Sequence, residues 1–234
     1  MKIMVINPNS SMAMTKHLEE VLSKIKAPGT ELTVVCPKGG PEAIESAYDE
    51  GLVVPGVMEL VRQANDQRYD AVILACFSDP GLEAAREISD TLVLGIEETG
   101  MHISAMLGNR FTVLTMSDQR VPSKESHVRR FRMEGCCASV RPLGMSVAEI
   151  EADSQEAKKR ILQVSRQAAE EDHAEVILLG CAGMAGYADD IMETLGMAVV
   201  DPSSVTLKVA EAMAAAGLKH SKRGLYAYPP GLKR

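Results

Sequence analysis

Two stretches of similar sequence decide the fold: residues 69–76, YDAVILAC, and residues 173–181, HAEVILLGC. Each contains an apolar run without polar alternation, which is typical of a strand buried on both faces of a parallel sheet. Each ends on a cysteine, Cys76 or Cys181, and is followed by a turn of small residues, a helical pattern and another apolar run. The likeness predicts a duplicated α/β unit. The alternative is one continuous sheet in which the likeness is incidental, because Val and Ile runs are common.

The rest of the chain follows the same alternation. Short apolar runs predict strands at 3–6, 32–35, 71–75, 93–96, 111–115, 139–142, 176–179 and 198–200. Amphipathic stretches predict helices at 12–24, 55–67, 80–90, 123–133, 154–171, 189–195 and 203–215. Strand and helix in alternation predict mostly parallel sheet flanked by helices. Residues 3–9 also match residues 111–117, which extends the repeat upstream.

Local signals predict where some of these helices begin and end. Asp79 before Pro80 is typical of an N-cap followed by proline at the first helical position. Gly196 is placed for a left-handed C-cap. The tail, residues 226–234, contains Pro229-Pro230 and is expected to be a loose end.

Composition narrows the possible partners. The formal net charge of −7 argues against a surface for nucleic acid, and we read the densest basic group, Arg129, Arg130 and Arg132, as a solvated helix face. No stretch is long and apolar enough to span a membrane, and the apolar run at residues 3–6 is too short for a signal peptide. We therefore expect a soluble, cytoplasmic protein with reduced cysteines and neither nucleic acid nor membrane as a partner.

The two matched cysteines follow strand ends, where open α/β sheets place their ligands. If two lobes related by a pseudo-twofold face each other, Cys76 and Cys181 approach one cleft from opposite sides. Racemisation needs such a pair, since one group removes a proton from one face of a carbon and another returns a proton to the other face. With each sulfur ~3.5 Å from that carbon, the sulfurs should be ~7 Å apart.

Groups near each cysteine have predicted supporting roles. Helices starting near Pro80 and after Gly186 would lower the pKa of the thiols. Backbone N–H groups of Phe77-Ser78 and of Ala182-Gly183 would bind an enolate oxygen.

The remaining cysteines and histidines give weaker signals. Cys36 is interpreted as structural, and the vicinal pair Cys136-Cys137 as bystanders without the spacing of zinc ligands. The five histidines, likewise without metal-ligand spacing, are read as surface or hydrogen-bonded core residues.

The chain resembles the aspartate/glutamate/hydantoin racemase superfamily, most closely the hydantoin racemases and next the allantoin racemases. The motifs that carry the resemblance are INPNS at 6–10, GPEAIE at 40–45, ACFSDPG at 75–81 and GCAGM at 180–184. It implies an α/β fold of two similar lobes with the active site in the cleft between them. We expect lobe one to comprise residues 1–97 plus 206–234, and lobe two residues 98–205.

The resemblance also implies roles for individual residues. Cys76 and Cys181 match the catalytic pair of the family. The residues that fall at its substrate contacts are Asn9, Phe77, Ser78, Thr115, Ala182 and Gly183. A small-molecule substrate, no pyridoxal phosphate, no metal and a homo-oligomer are further expectations from the resemblance.

One departure bears on the substrate. Amino-acid racemases of this superfamily look like Cys-Asn-Thr in the first lobe and Cys-Thr-Glu in the second. Here the positions read Cys76-Phe77-Ser78 and Cys181-Ala182-Gly183. An apolar ring and an absent side chain suit a flat neutral ring, which favours a 5-substituted hydantoin. Allantoin racemase, aspartate or glutamate racemase, a thiol-dependent decarboxylase or isomerase, and a small-molecule sensor remain alternatives.

Overall fold

The structure is a computed structural model that describes residues 1–231 of the chain. Residues 232–234, which belong to the predicted first lobe and the predicted loose tail, lie outside the described residues. The chain divides into two compact units. Unit 1 comprises Met1–Ile96 and Thr206–Arg234, and unit 2 comprises Glu97–Val205. Each unit is built on a parallel four-stranded sheet flanked by helices, which confirms the predicted α/β class.

Unit 1 contains the first four strands of the chain. They are β1 (Lys2–Ile6), β2 (Glu31–Val35), β3 (Ala71–Leu74) and β4 (Leu92–Gly95), paired in the order β2-β1-β3-β4. The helices between them are α1 (Met12–Ile25), α2 (Ala47–Asp66) and α3 (Leu82–Ile88). Alternate residues of the strands pack with α2 and α3 in one apolar cluster that includes Ile6, Val61, Leu74 and Leu82. The sheet is therefore covered by helices on this face, as an all-parallel sheet requires.

Unit 2 repeats this topology. Its strands are β5 (Phe111–Thr115), β6 (Cys137–Pro142), β7 (Val176–Leu179) and β8 (Ala198–Val200), paired in the order β6-β5-β7-β8. The intervening helices are α5 (Val121–Arg130), α6 (Val147–Ala152), α7 (Ser154–Glu171) and α8 (Ala188–Leu195). The identical strand order supports the duplication inferred from the sequence.

Two further helices cross the boundaries between the units. They are α4 (Ile96–Leu107) and α9 (Pro202–Ala215). Within unit 2, Gly100 of α4 packs closely on Leu178 and Pro202, and an added Cβ would lie 3.0 Å from each of them. The absence of a side chain at residue 100 is therefore what allows α4 to approach β7.

Four helices differ from the prediction. The helix expected at 55–67 begins at Ala47, because Ser46 caps it by accepting a hydrogen bond from the Asp49 N–H, and Pro55 lies inside it. Helices α4 and α6 were not predicted. The helix expected at 80–90 covers only Leu82–Ile88, with Gly81 at its N-cap, so Asp79 is not that cap.

The end of the chain completes unit 1 and is not loose where it is described. Glu211 of α9 accepts hydrogen bonds from the Ala27 N–H (2.7 Å) and the Thr30 hydroxyl (2.8 Å). Arg86 donates to the Tyr226 hydroxyl at 3.0 Å and stacks on its ring. The expectation of a loose end from residue 226 onward is thus wrong for Tyr226, because its ring and hydroxyl both pair with Arg86.

Two other expectations concern the surface and the cap of α8. Arg129, Arg130 and Arg132 are exposed, as expected of a solvated face. Gly196 takes the left-handed conformation (φ 66°) at the C-cap of α8, as predicted. Within the described part of the chain, no helix combines the length and hydrophobicity needed to cross a membrane.

Candidate active site

Cys76 lies at the carboxyl end of β3, a central strand of unit 1. The strand is held in register by β1, and the ladder continues past its last residue through the Ala75 N–H, which donates to the Ile6 carbonyl at 2.8 Å. Cys76 follows directly and is half-buried. Its sulfur lies 3.4 Å from the Ser78 hydroxyl, where either atom can donate.

Cys181 takes the equivalent place in unit 2. The Gly180 N–H donates to the Leu114 carbonyl at 2.8 Å, which extends the β5–β7 ladder as Ala75 extends that of unit 1. Cys181 is also half-buried, and it begins a 3-10 turn over Ala182–Met184. The Gly183 N–H donates to the Cys181 sulfur at 3.3 Å. The fold therefore puts a partly exposed thiol at the same point of each sheet.

The surroundings of the two sulfurs differ in one respect. Position two after the cysteine supplies a hydroxyl in unit 1, from Ser78, and a backbone N–H in unit 2, from Gly183. A hydrogen bond donated to a thiolate favours the ionised form. The fixed N–H at Cys181 can only donate, whereas the Ser78 hydroxyl can donate to a thiolate or accept from a thiol.

Two N–H groups of the predicted enolate site donate hydrogen bonds within their own loops. The Ser78 N–H donates to the Cys76 carbonyl at 2.8 Å, and the Gly183 N–H donates to the Cys181 sulfur. Both N–H groups thus have acceptors inside the protein, and the roles of Ser78 and Gly183 at the substrate stay predictions. Phe77 and Ala182 lie next to the cysteines and are buried, and their assignment stays a prediction.

The helices expected to act on the thiols begin close to the predicted places, near Pro80 and after Gly186. Helix α3 begins at Leu82 and α8 at Ala188, each several residues beyond the cysteine it was expected to activate. An effect of these helices on the two thiols stays a prediction, whereas Ser78 and Gly183 contact the sulfurs directly.

Asn9 follows the end of β1 and Thr115 is the last residue of β5, so both lie at the same sheet edges as the cysteines. Asn9 is buried, and its amide is engaged within the protein: Oδ1 accepts from the Asn7 side chain (2.7 Å) and from the Ser11 N–H (2.9 Å). These contacts shape the turn into α1. Thr115 is buried, and its carbonyl accepts from the Leu143 N–H at 2.8 Å. Contact of either residue with substrate remains a prediction.

The other cysteines differ from the matched pair. Cys136 and Cys137 lie at the start of β6, at the end of the sheet opposite to Cys181. Burial raises the pKa of the Cys137 thiol to about 11, so it is almost wholly protonated near neutrality. The sulfur of Cys36 contacts that of Met12 at 3.5 Å. The interpretation of Cys36 as structural and of Cys136 and Cys137 as bystanders stays a prediction.

Sequence reasoning missed a buried ionic group in unit 2. The Glu97 carboxylate is fully buried, with Oε1 2.9 Å from Lys124 Nζ and Oε2 2.6 Å from His127 Nδ1. Burial by itself raises the pKa of this carboxyl, but the charge of Lys124 and the hydrogen bond from His127 outweigh it, and the pKa of Glu97 is lowered. The acid and its partners are 27 and 30 residues apart, so no local pattern indicates the group.

A second missed feature is an aspartate beside each cysteine loop. Asp79 and Asp201 are both buried, at 6% and 4% exposure. The signal for Asp201 was present, since it follows an apolar run and precedes Pro202, as an N-cap would. Its carboxylate does accept hydrogen bonds from the N–H groups of Ser203 and Ser204 in the first turn of α9.

Comparison with known proteins agrees with this arrangement. The family model described as Asp/Glu/Hydantoin racemase matches residues 3–210. The chain is 41% identical to a hydantoin racemase of Pseudomonas sp. (strain NS671) over 229 residues, which cover 98% of this chain and 92% of that one. It is 38% identical to a hydantoin racemase of Rhizobium meliloti over 98% of this chain and 95% of the relative.

Solved structures are also similar to this chain over nearly its whole length. An allantoin racemase from Klebsiella pneumoniae superposes with a TM-score of 0.95 at 35% identity, covering 99% of this chain and 94% of that one. Matches of this extent cover both sheets and both cysteine loops. The chain therefore belongs to the Asp/Glu/hydantoin racemase family.

Proposed function

We propose that this protein is a cofactor-independent racemase that interconverts the D and L forms of 5-monosubstituted hydantoins. The observation that carries the proposal is the matched placement of Cys76 and Cys181, each two residues past the end of a central strand in one of two topologically identical sheets. The 41% identity to a hydantoin racemase over nearly the whole chain supports the substrate class.

The proposed mechanism uses one thiolate and one thiol. The thiolate removes the C5 proton from one face of the ring, and the electron pair left on C5 is delocalised onto the adjacent carbonyl oxygen. The other thiol then delivers its proton to the opposite face, becomes the thiolate, and leaves the enzyme ready for the reverse reaction. This chemistry requires the two sulfurs to reach opposite faces of the same carbon.

Contacts at the sulfurs support a mechanism with one thiolate and one thiol. The Gly183 N–H stabilises negative charge on Cys181 as a fixed donor. The Ser78 hydroxyl can accept a hydrogen bond from the Cys76 thiol or donate one to its thiolate, so it accommodates both states of the catalytic cycle.

An allantoin racemase activity is the second candidate, and it has its own observation. The superposition on the allantoin racemase of Klebsiella pneumoniae reaches a TM-score of 0.95. Allantoin is itself a hydantoin with a ureido group at C5, so the proton transfer would be the same. The two candidates differ only in the side chain that the site accepts.

Isotope exchange combined with a substrate screen tests the proposal. Single enantiomers of 5-alkylhydantoins, 5-benzylhydantoin, allantoin, aspartate and glutamate are incubated with the enzyme in D₂O, beside enzyme-free controls. We expect loss of optical rotation and incorporation of deuterium at C5 of the hydantoins. Turnover of aspartate or glutamate alone would contradict the substrate class. Binding of a hydantoin without exchange would contradict catalysis altogether and favour a sensor.

A further inference from the structure

In each unit a buried aspartate lies between the cysteine loop and the end of the neighbouring strand. In one unit the cysteine loop itself carries the aspartate, and in the other the neighbouring strand leads into it. In unit 1 it is Asp79, three residues after Cys76 in the loop itself. In unit 2 it is Asp201, which follows β8 and reaches back to the loop. The register of the sheets shows that the two carboxylates serve equivalent places.

The equivalence follows from the strand pairing. In unit 1, Leu74, two residues before the cysteine, pairs with Gly95. In unit 2, the pair Leu178–Val200 puts Asp201 opposite Leu179, which is also two residues before its cysteine. Gly95 and Asp201 thus occupy the same position, and the first of them has no side chain.

Asp79 fills the space that this glycine leaves. A Cβ built on Gly95 would lie 2.2 Å from Asp79 Cγ and 2.2 to 2.4 Å from its carboxylate oxygens. Asp79 takes a left-handed conformation (φ 46°), which costs free energy for a residue with a side chain. The N–H of Asp79 and that of Ser78 both donate to the Cys76 carbonyl, so the same tight turn holds the thiol and the carboxylate.

Asp201 makes the corresponding connection from the strand side. Its Oδ2 accepts from the Gly186 N–H (3.2 Å) and the Ser204 hydroxyl (2.6 Å), while Oδ1 accepts from the Ser203 N–H (2.9 Å). Gly186 ends the short segment that starts at Cys181. The carboxylate therefore fastens this segment to the first turn of α9.

We propose that Asp79 and Asp201 are positioning residues for Cys76 and Cys181, respectively, and that each carboxylate fixes the loop that holds one thiol. The consequence for turnover rests on the proposed racemase function, whereas the positioning itself is a property of the loops. Each aspartate should therefore act on its own cysteine and not on the other.

Asp201→Asn is a selective test of the second connection. Asparagine is as good an N-cap as aspartate, so the hydrogen bonds of α9 can be kept. Its NH₂ group cannot accept from the Gly186 N–H, so that contact is lost. Burial raises the pKa of Asp201, which means that the charged carboxylate costs free energy in the folded protein, and the neutral amide avoids this cost.

The first readout does not depend on any substrate. Rates of alkylation by iodoacetamide are measured for each cysteine by peptide mass spectrometry. We expect Asp201→Asn to speed alkylation of Cys181 by about threefold or more, because loss of the hydrogen bond to Gly186 loosens the loop, and to leave Cys76 unchanged. The matched control is Asp172→Asn, since Asp172 accepts hydrogen bonds from Ser139 and Arg141 at the opposite end of the same sheet.

The reciprocal test uses unit 1. Gly95→Ala places a methyl group where the Asp79 carboxylate lies, and we expect it to speed alkylation of Cys76 only. The double variant Asp79→Gly with Gly95→Asp supplies the carboxylate from the strand, as in unit 2, and should return the Cys76 rate toward the wild-type value. Glycine suits the positive φ at residue 79. Unchanged rates, or equal changes at both cysteines, would overturn the proposal.

The second readout follows turnover with C5-deuterated enantiomers. If Asp201→Asn displaces Cys181 alone, the primary isotope effect should rise in the direction in which Cys181 removes the proton and fall in the other. Cys181→Ser should still exchange deuterium into the enantiomer that Cys76 deprotonates, and the other enantiomer is then the one that Cys181 deprotonates. A loss of activity with unchanged isotope effects would mean a merely structural role and would contradict the inference. Absence of racemisation in the wild-type enzyme would instead contradict the proposed function, and the alkylation result would still decide the positioning.

Discussion

At the scale of single residues, the proposed mechanism depends on the acidity of two sulfurs. Cys76 and Cys181 are half-buried and each has a hydrogen-bonding partner at the second residue after it. Cys137 also has a hydrogen-bonding partner at the second residue after it, Ser139, but burial raises the pKa of its thiol to about 11. At Cys137 burial outweighs this hydrogen bond, so the thiol stays protonated near neutrality.

Replacement of either matched cysteine should abolish turnover while the fold is kept. A serine hydroxyl is a far weaker acid than a thiol, so Cys76→Ser and Cys181→Ser should each lower kcat/KM by about 10²–10⁴-fold for both enantiomers. Polarimetry measures the loss and circular dichroism the fold. Cys137→Ser is the matched control and should stay active. Near-normal turnover in either active-site variant would eliminate the two-base mechanism.

At the scale of elements, the strands were predictable and several helices were not. Runs such as residues 71–74 and 176–179 are fully buried, and burial on both faces leaves an unmistakable apolar pattern. Helix α4 was missed because it follows β4 with no loop between them and contains Gly100. Asp79-Pro80 and Asp201-Pro202 carry the same capping signal, yet only the second caps a helix. The Asp79 carboxylate instead fills the space beside Gly95 of the neighbouring strand β4, which lies far along the chain.

The close approach of β7 to β5 gives a prediction at this scale. A Cβ on Gly180 would lie 2.2 Å from the Leu114 carbonyl oxygen. Gly180→Ala must therefore shift backbone, and we expect it to lower the free energy of unfolding by about 1–3 kcal/mol and to impair turnover, since Cys181 is the next residue. Urea unfolding and polarimetry measure the two effects. Gly135→Ala, where an added Cβ meets nothing within 4 Å, is the control, and an equal loss there would refute the explanation.

The contact between α4 and α5 gives a second prediction. Glu97→Gln removes the carboxylate from the buried Lys124, which should lower the free energy of unfolding at pH 7 by about 3 kcal/mol. Because the pKa of Glu97 is lowered in the folded state, its contribution is present above the unfolded value and is lost as the pH falls through the folded one. The difference between variant and wild type should therefore shrink as the pH is lowered below about 4.

Urea titrations at several pH values measure this difference wherever both proteins remain folded. Glu125→Gln, on the exposed side of α5, provides the comparison and should change little. A gap that is independent of pH would show that the charge of Glu97 is not what stabilises the contact.

At the scale of the whole molecule, the sequence indicated the duplication and the two thiols but not the groups that hold them. Periodicity and local motifs report on neighbours in the chain. The contacts of Glu97, Asp79 and Asp201 instead depend on which strands and helices lie side by side. Candidate substrate contacts such as Asn9 show the same limit, because its amide is engaged in shaping a turn.

Self-association is the prediction for the molecule as a whole. Large apolar side chains are exposed on α2, where Tyr48 is 75% and Leu52 49% accessible, and on α4, where Met106 is 78% accessible. Patches of this kind often mark contacts between subunits. We expect light scattering to give a mass of at least two chains of 25.2 kDa each. A monomer at every concentration would contradict the expectation.

The discontinuity of unit 1 has a consequence for biosynthesis. Residues 97–205 emerge from the ribosome as one continuous piece and contain every strand of their sheet. The N-terminal sheet emerges earlier, but the hydrogen bonds of Thr30 to Glu211 and of Arg86 to Tyr226 cannot form until the C-terminal segment has been synthesised. During translation, unit 2 should therefore complete its folding before unit 1, although synthesis of unit 1 begins first.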